Sequence, residues 1–181
     1  MDQGLLPRRY AKALYKFAVD KGAQKDVYTY MQNIENAFAA NPRLQGTLAN
    51  PFVKADAKGK LVSAAAGPGA EKSAVLDDFV KLLVDHRRID ILREIALAYT
   101  RLYRKENNIY AVRITSAAPL SDKDAQRIRD LVEKHLHGAT AEYTYTVDPD
   151  IIGGFVVNIE NERLDASVRN ELDQLRLILT K

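Results

Sequence analysis

The sequence predicts an α+β protein in two parts: a six-helix bundle over residues 1–106 and a small βαββα domain over residues 107–181. Three observations predict it. Apolar residues recur at steps of three and four through the first 105 residues, which is the spacing of one face of an α-helix. Beyond Asn108 the spacing falls to two, that of a strand with one face covered. Charge changes sign as well: residues 1–105 carry 18 Lys/Arg against 11 Asp/Glu, net +7, and residues 106–181 carry 9 against 13, net −4, giving +3 for the chain. Such asymmetry points to two modules with different partners.

The helices follow in order. Leu6, Tyr10, Ala13, Leu14, Phe17 and Ala18 form one stripe of a first helix that ends near Gly22. Val27, Tyr30, Met31, Ile34, Ala37 and Phe38 repeat it, and Asn41-Pro42 stops the second helix, because a residue before proline avoids helical geometry. A short third helix fits Arg43–Leu48. A fourth spans about Lys54–Ala66 and is closed by Gly67-Pro68-Gly69. Val75, Leu76, Phe79, Leu82 and Leu83 mark the fifth. Ile89, Leu92, Ile95, Ala96, Tyr99, Leu102 and Tyr103 mark the sixth, which fades at Asn107-Asn108. Six apolar stripes joined by short connectors must cover one another, and a bundle does that.

In the second part Tyr110, Val112 and Ile114 alternate with Ala111, Arg113 and Thr115 as a strand. Ser121 with Asp124 three residues on reads as a capping box. Ala125, Ile128, Leu131, Val132 and Leu136 are the inner stripe of the helix it opens, and Gly138 is placed to end it. Tyr143, Tyr145 and Val147 belong to a second strand, and Phe155, Val157 and Ile159 to a third. Asn161-Glu162 turns into a short strand at Arg163–Ala166. Ser167 is a good N-cap for a last helix with Val168, Leu172, Leu175, Ile178 and Leu179 inward.

Composition narrows the function. Apolar residues at 46% and charged residues at 28% are those of a folded globular chain. The absence of Cys removes disulfides, thiolate metal sites and thiol nucleophiles. No run of about 18 apolar residues occurs, and the start lacks an apolar signal core, so a soluble, unexported protein is expected.

Each candidate for chemistry has a plainer structural account. His135 and His137 are two apart on a helix end and point in different directions, while His86 lies in the other part, so no metal is expected. Asp148-Pro149-Asp150 lacks the glycine and distal glutamate of a calcium loop and reads as a turn. Gly153-Gly154 is followed by a strand rather than a helix, so it is a bend and not a phosphate cradle; no cofactor is expected. Arg8, Arg9, Lys12 and Lys16 invite the competing reading, a nucleic-acid-binding helical and α+β protein. The Gly-x-x-Gly clamp and the aromatic-basic strand face of such modules are missing, and the wet side of an amphipathic helix accounts for these charges.

Several segments resemble one family. Arg8-Arg9-Tyr10-Ala11-Lys12-Ala13-Leu14-Tyr15 is similar to the opening helix of ATP synthase delta subunits, called OSCP in mitochondria. Leu82-Leu83-Val84-Asp85-His86-Arg87-Arg88-Ile89-Asp90-Ile91-Leu92 is similar to that family's helix-turn-helix passage. Asp148-Pro149-Asp150-Ile151-Ile152-Gly153-Gly154-Phe155, followed by Leu164-Asp165-Ala166-Ser167-Val168, resembles its C-terminal signature, with Ala166 where glycine is usual. Gly153, Gly154, Asp165 and Ser167 are its structural positions.

The resemblance implies a non-catalytic peripheral-stalk subunit of an F-type proton-translocating ATP synthase, held at the cytoplasmic face of a bacterial cell membrane only through the complex. It implies that the bundle grips N-terminal segments of alpha subunits in grooves, notably between its first and fifth helices. It implies that the C-terminal domain binds the C-terminal region of the subunit b stalk, and that no nucleic acid is bound. Carried onto this chain, the groove takes Tyr10, Ala13, Leu14 and Phe17 from the first helix and Phe79, Leu82 and Leu83 from the fifth. An amphipathic helix would lay its apolar face there, with its binding energy concentrated in a few anchors.

Overall fold

A computed structural model describes residues 4–151, 153–160 and 162–167. The chain divides into two compact units, Met1–Tyr103 and Arg104–Lys181. In the first, α1 (Leu5–Asp20), α2 (Gln24–Ala40), α3 (Arg43–Ala49), α4 (Ala55–Ala66), α5 (Ala74–Asp85) and α6 (Leu92–Glu106, which runs past the unit's end) form the six helices. Short 3-10 turns at Ala70–Lys72 and Ile89–Ile91 lead into α5 and α6. The interior is made by Leu14, Met31, Ile34, Leu48, Leu76, Leu83, Leu92, Ile95 and Tyr99, all sealed from solvent.

The connectors explain the packing. Gly22 takes a positive φ after α1, and Ala23 N–H returns to Ala18 O at 2.8 Å, a tight turn that joins the end of α1 to the start of α2. Asn33 of α2 donates through Nδ2 to Ala66 O at 2.8 Å, tying α2 to the last turn of α4. Gly67 follows with φ 87°, and a Cβ there would lie 2.9 Å from Asn33 Nδ2, so this turn needs glycine twice over. Ser73 caps α5 by accepting Leu76 N–H at 3.3 Å, a start signal that the stripe alone did not reveal. At the other end of α5, Arg87 has φ 54°, and Arg88 N–H reaches Leu83 O at 2.7 Å. That left-handed residue ends the helix and begins a 3-10 turn, which is why the sixth helix starts at Leu92 and not at Ile89.

The second unit holds a four-stranded sheet in the order β2-β1-β3-β4. Its strands are β1 (Ile109–Ser116), β2 (Thr140–Val147), β3 (Gly154–Ile159) and β4 (Glu162–Ser167), with α7 (Asp122–His135) crossing between β1 and β2. β1 and β2 run parallel with Val112 opposite Tyr143, as a β-helix-β crossover requires. β3 is antiparallel to β1, with Ile114 opposite Val157, and β4 is antiparallel to β3. Val112, Ile114, Ile128, Val132 and Val157 make the core, flanked by Leu136, Tyr143, Phe155 and Ile159.

Two expectations are refined here. Leu131 is 56% exposed and stands off the inner stripe, because it lies about 100° around the helix from buried Val132. The capping box is half made: Ser121 Oγ accepts Asp124 N–H at 3.2 Å, but its own hydroxyl donates to Asp124 Oδ2 at 2.6 Å, so the carboxylate takes the side chain instead of the cap's backbone N–H.

Gly153 and Gly154 have φ 137° and 79° and form the bend that enters β3. Asp148 accepts Asp150 N–H at 3.0 Å in a turn of its own making. In β4, Asp165 pairs with Val156 and Ser167 with Gly154. Asn161 and the helix expected after Ser167, with the capping role expected of that serine, lie outside the described residues.

Candidate partner-binding groove

The apolar surface of α1 is wider than a core needs. Pro7, Ala11, Leu14 and Ala18 are buried in the bundle. One row around the helix, Leu6, Tyr10 and Phe17 are only half-buried and Ala13 is exposed. Both rows repeat at three- and four-residue steps, so a hydrophobic period alone merges them into one stripe. The second row forms one wall of a groove of about 820 Å³.

The other wall is α5. Asp78, Phe79, Leu82 and His86 fall on one face at steps of one, three and four, and Arg88 follows beyond the helix end. Phe79 is nearly buried and forms floor; Leu82 is 42% exposed. Leu83, its neighbour, is 0% exposed and sits in the core, so it lines no part of the groove. The structure therefore brings Tyr10, Ala13, Leu14, Phe17, Phe79 and Leu82 together around one cleft and leaves Leu83 outside it. Leu14 joins only by an edge, being almost wholly core.

The rim carries residues that hydrophobic periodicity does not single out. Arg9 lies on the α1 side; Asp78, His86 and Arg88 lie on the α5 side. Their signal is spacing: Asp78 and His86 sit one turn before and after Leu82, and Arg9 one turn before Ala13. Arg8, Lys12 and Lys16 are exposed on α1 and take no part in the groove wall.

The three histidines have separate settings. His86 caps the end of α5, His135 Nε2 contacts Glu162 Oε2 at 3.0 Å, and His137 Nδ1 meets His135 O at 2.7 Å. Among the described residues no group of three or more His, Asp or Glu is placed to hold a metal ion. No helix among them is long and apolar enough to cross a membrane.

The second unit presents apolar surface of a different kind. Tyr145 and Val147 on β2 are 42% and 50% exposed. Arg129 donates through Nε to Tyr145 OH at 2.7 Å, with its guanidinium 5.7 Å and 5.6 Å from the Tyr143 and Tyr145 ring centres. The cation thereby fixes two half-open rings as a ledge. Burial pushes the Tyr143 phenol above its usual range, with Glu133 adding to the shift.

The model of the ATP synthase delta (OSCP) subunit family matches residues 6–179. The chain is similar to ATP synthase subunit delta of Phocaeicola vulgatus, at 38% identity over 173 residues, covering 96% of this chain and 92% of that one. Against the same subunit of Parabacteroides distasonis the identity is 38% over 176 residues, covering 97% and 96%. It also superposes on a chain from a cryo-EM structure of the Toxoplasma gondii mitochondrial ATP synthase hexamer, with a TM-score of 0.73, 21% identity and coverage of 97% and 98%. At that identity the likeness is one of fold. A match over almost the whole length, together with relatives of this similarity, means that the chain belongs to the ATP synthase delta (OSCP) subunit family.

Proposed function

We propose that this chain, a member of the delta family and so a peripheral-stalk subunit of an ATP synthase, does its work by gripping two other subunits and catalyses nothing itself. The bundle holds the N-terminal segment of an alpha subunit, and the second unit holds the C-terminal region of subunit b. The chain thereby ties the catalytic head to the membrane-anchored stalk at the cytoplasmic face of the membrane and resists rotation during synthesis.

The observation that carries this reading is the half-open row Leu6, Tyr10 and Phe17, with Ala13 exposed among them, facing Leu82 across a groove. A helix fits such a cleft by laying its own apolar stripe against both walls. Ala13 supports the fit, because its single methyl lets a partner backbone come close. The half-open Tyr143 and Tyr145 ledge, with Val147 beside it, supports a second contact on the other unit. Titration calorimetry of a synthetic alpha N-terminal peptide onto the full chain should give saturable binding that a Leu82→Glu variant loses. Binding of subunit b should survive that change. Equal loss of both, or peptide binding untouched by Leu82→Glu, would overturn the assignment of the groove. Mg-ATP titrated onto the chain should give no binding heat.

A further inference from the structure

The groove has a direction built into its charges. The connectors fix which ends of its walls meet. The tight turn at Lys21-Gly22-Ala23 puts the end of α1 at the start of α2, so the end of α1 stands the length of α2, about 25 Å, from the end of α2. α3 follows α2 directly, and its Gln45 donates through Nε2 to Asp90 O at 2.6 Å, which brings the turn after α5 to that same end. α5 therefore finishes where α1 begins. Arg9, in the first turns of α1, and His86 and Arg88, at the end of α5, crowd one mouth of the groove. Asp78, two turns earlier on α5, lies toward the other mouth, on the side of Phe17.

All four side chains stand at exposed positions, and among the described residues no ion pair engages any of them. Lys21 also stands at the far mouth, with its ammonium 6.0 Å from the Phe17 ring centre, but it belongs to no groove wall. Asp85, which could offset the cluster, opens into a separate cleft between α4 and α5. The wall is thus cationic at one mouth and carries its one carboxylate toward the other.

We infer that the groove reads the polarity of its ligand: it takes an amphipathic helix whose acidic end lies beside Arg9, His86 and Arg88, and which runs parallel to α1. This rests on the groove reading proposed above. Helices ordinarily carry Asp and Glu in the first turn and Lys and Arg in the last, since these complement the helix dipole. A ligand of that ordinary kind enters with its N-terminus at the cationic mouth and its basic end near Asp78. The row from Leu6 to Phe17 gives it about 16 Å of apolar contact, or three turns. The apolar walls supply affinity; the charges exclude the reversed pose by setting like against like.

The chain has no cysteine, so label chemistry can be confined to the peptide. An alpha N-terminal peptide carrying a nitroxide at its first residue should broaden the backbone amide signals of Arg9 and Arg88 and spare those around Phe17. A nitroxide at its last residue should do the opposite. Arg9→Glu with Arg88→Glu should weaken the unlabelled peptide about five- to tenfold at low ionic strength, and the loss should shrink in molar salt. A doubly charge-reversed peptide should recover binding to that variant. Broadening in the reverse sense, broadening at both mouths alike, or charge reversal without effect would overturn the polarity while leaving the groove assignment intact. Peptide binding that Leu82→Glu fails to disturb would instead remove the groove, and the polarity with it.

Discussion

The two rows of α1 are both apolar yet are covered to different extents. Pro7, Ala11, Leu14 and Ala18 disappear into the bundle, whereas Leu6, Tyr10 and Phe17 stop half-way and Ala13 stays exposed. The same split recurs on α5, where Leu83 is sealed and Leu82 is 42% exposed. Folding accounts for the first row. Folding accounts for only part of the second, whose remaining open apolar surface needs another cause, and the ligand helix proposed above would supply one. On the proposed reading, one residue of displacement around a helix separates stability from recognition.

Leu83 and Leu82 are the strongest test of that division. Leu83→Ala should cost the bundle about 2–5 kcal/mol, because it removes buried methyl groups and leaves a cavity. Leu82→Ala should shift stability by less than about 1 kcal/mol and weaken the alpha peptide instead. Urea titrations alongside peptide calorimetry check both. Equal destabilisation by the two changes would erase the distinction between the rows.

Ala13 sharpens the division further. Its exposure places it in the groove wall and outside the core, so Ala13→Asp should leave the melting temperature within a degree or two of the parent, as surface changes do. The carboxylate would meet the apolar face of the ligand, and affinity should fall about tenfold to a hundredfold. Lys12→Asp, one position away on the solvent side, should alter affinity by less than about fivefold. Circular dichroism melts and calorimetry on both variants measure this. An Ala13→Asp protein that stays folded and binds as tightly as the parent would put the partner elsewhere.

Much of the architecture was legible because covering apolar stripes leaves few arrangements. Six helical periods, the change to period two beyond Asn108 and the turn glycines Gly67, Gly153 and Gly154 all carry their structural meaning in sequence. The split within a stripe does not. Leu82 and Leu83 have the same side chain, and which one faces inward depends on where a neighbouring helix lies. Leu131 failed for the same reason, as α7 meets its sheet along Ile128 and Val132. Alternation marked Tyr145 and Val147 as sharing a face with the core of β2, but β2 is an edge strand and that end of the face is only partly covered. The groove's charged rim was hidden in plain spacing. Arg9, Asp78, His86 and Arg88 look like ordinary wet-face charges until the ends of α1 and α5 are brought together.

The sealed side contains one polar group whose behaviour separates it from every exposed tyrosine. Tyr99 is 0% exposed and donates from its hydroxyl to Gln24 O at 3.2 Å, with the Tyr15 ring tilted against its own at 6.0 Å and Tyr103 edge-on to Tyr15. Burial first, then the neighbouring Tyr15 and Tyr103 hydroxyls, pushes its phenol far above the ordinary value near 10. In the unfolded chain Tyr99 gives up its proton at about pH 10, while the folded chain keeps it. The unfolded state therefore gains from deprotonation first. Stability is intact below pH 10 and falls above it, by up to about 1.4 kcal/mol for each further pH unit. Tyr99→Phe removes both the hydrogen bond and the proton. At neutral pH the variant should be less stable by about 1 kcal/mol. That deficit should close near pH 11, where the parent has lost a similar amount and the variant has lost nothing at this position. Urea titrations at pH 7 and pH 11 measure the crossing. A deficit that stays constant across that range would mean that Tyr99 ionises in the folded bundle as readily as a surface tyrosine, and that the core row is open to water where it should be sealed.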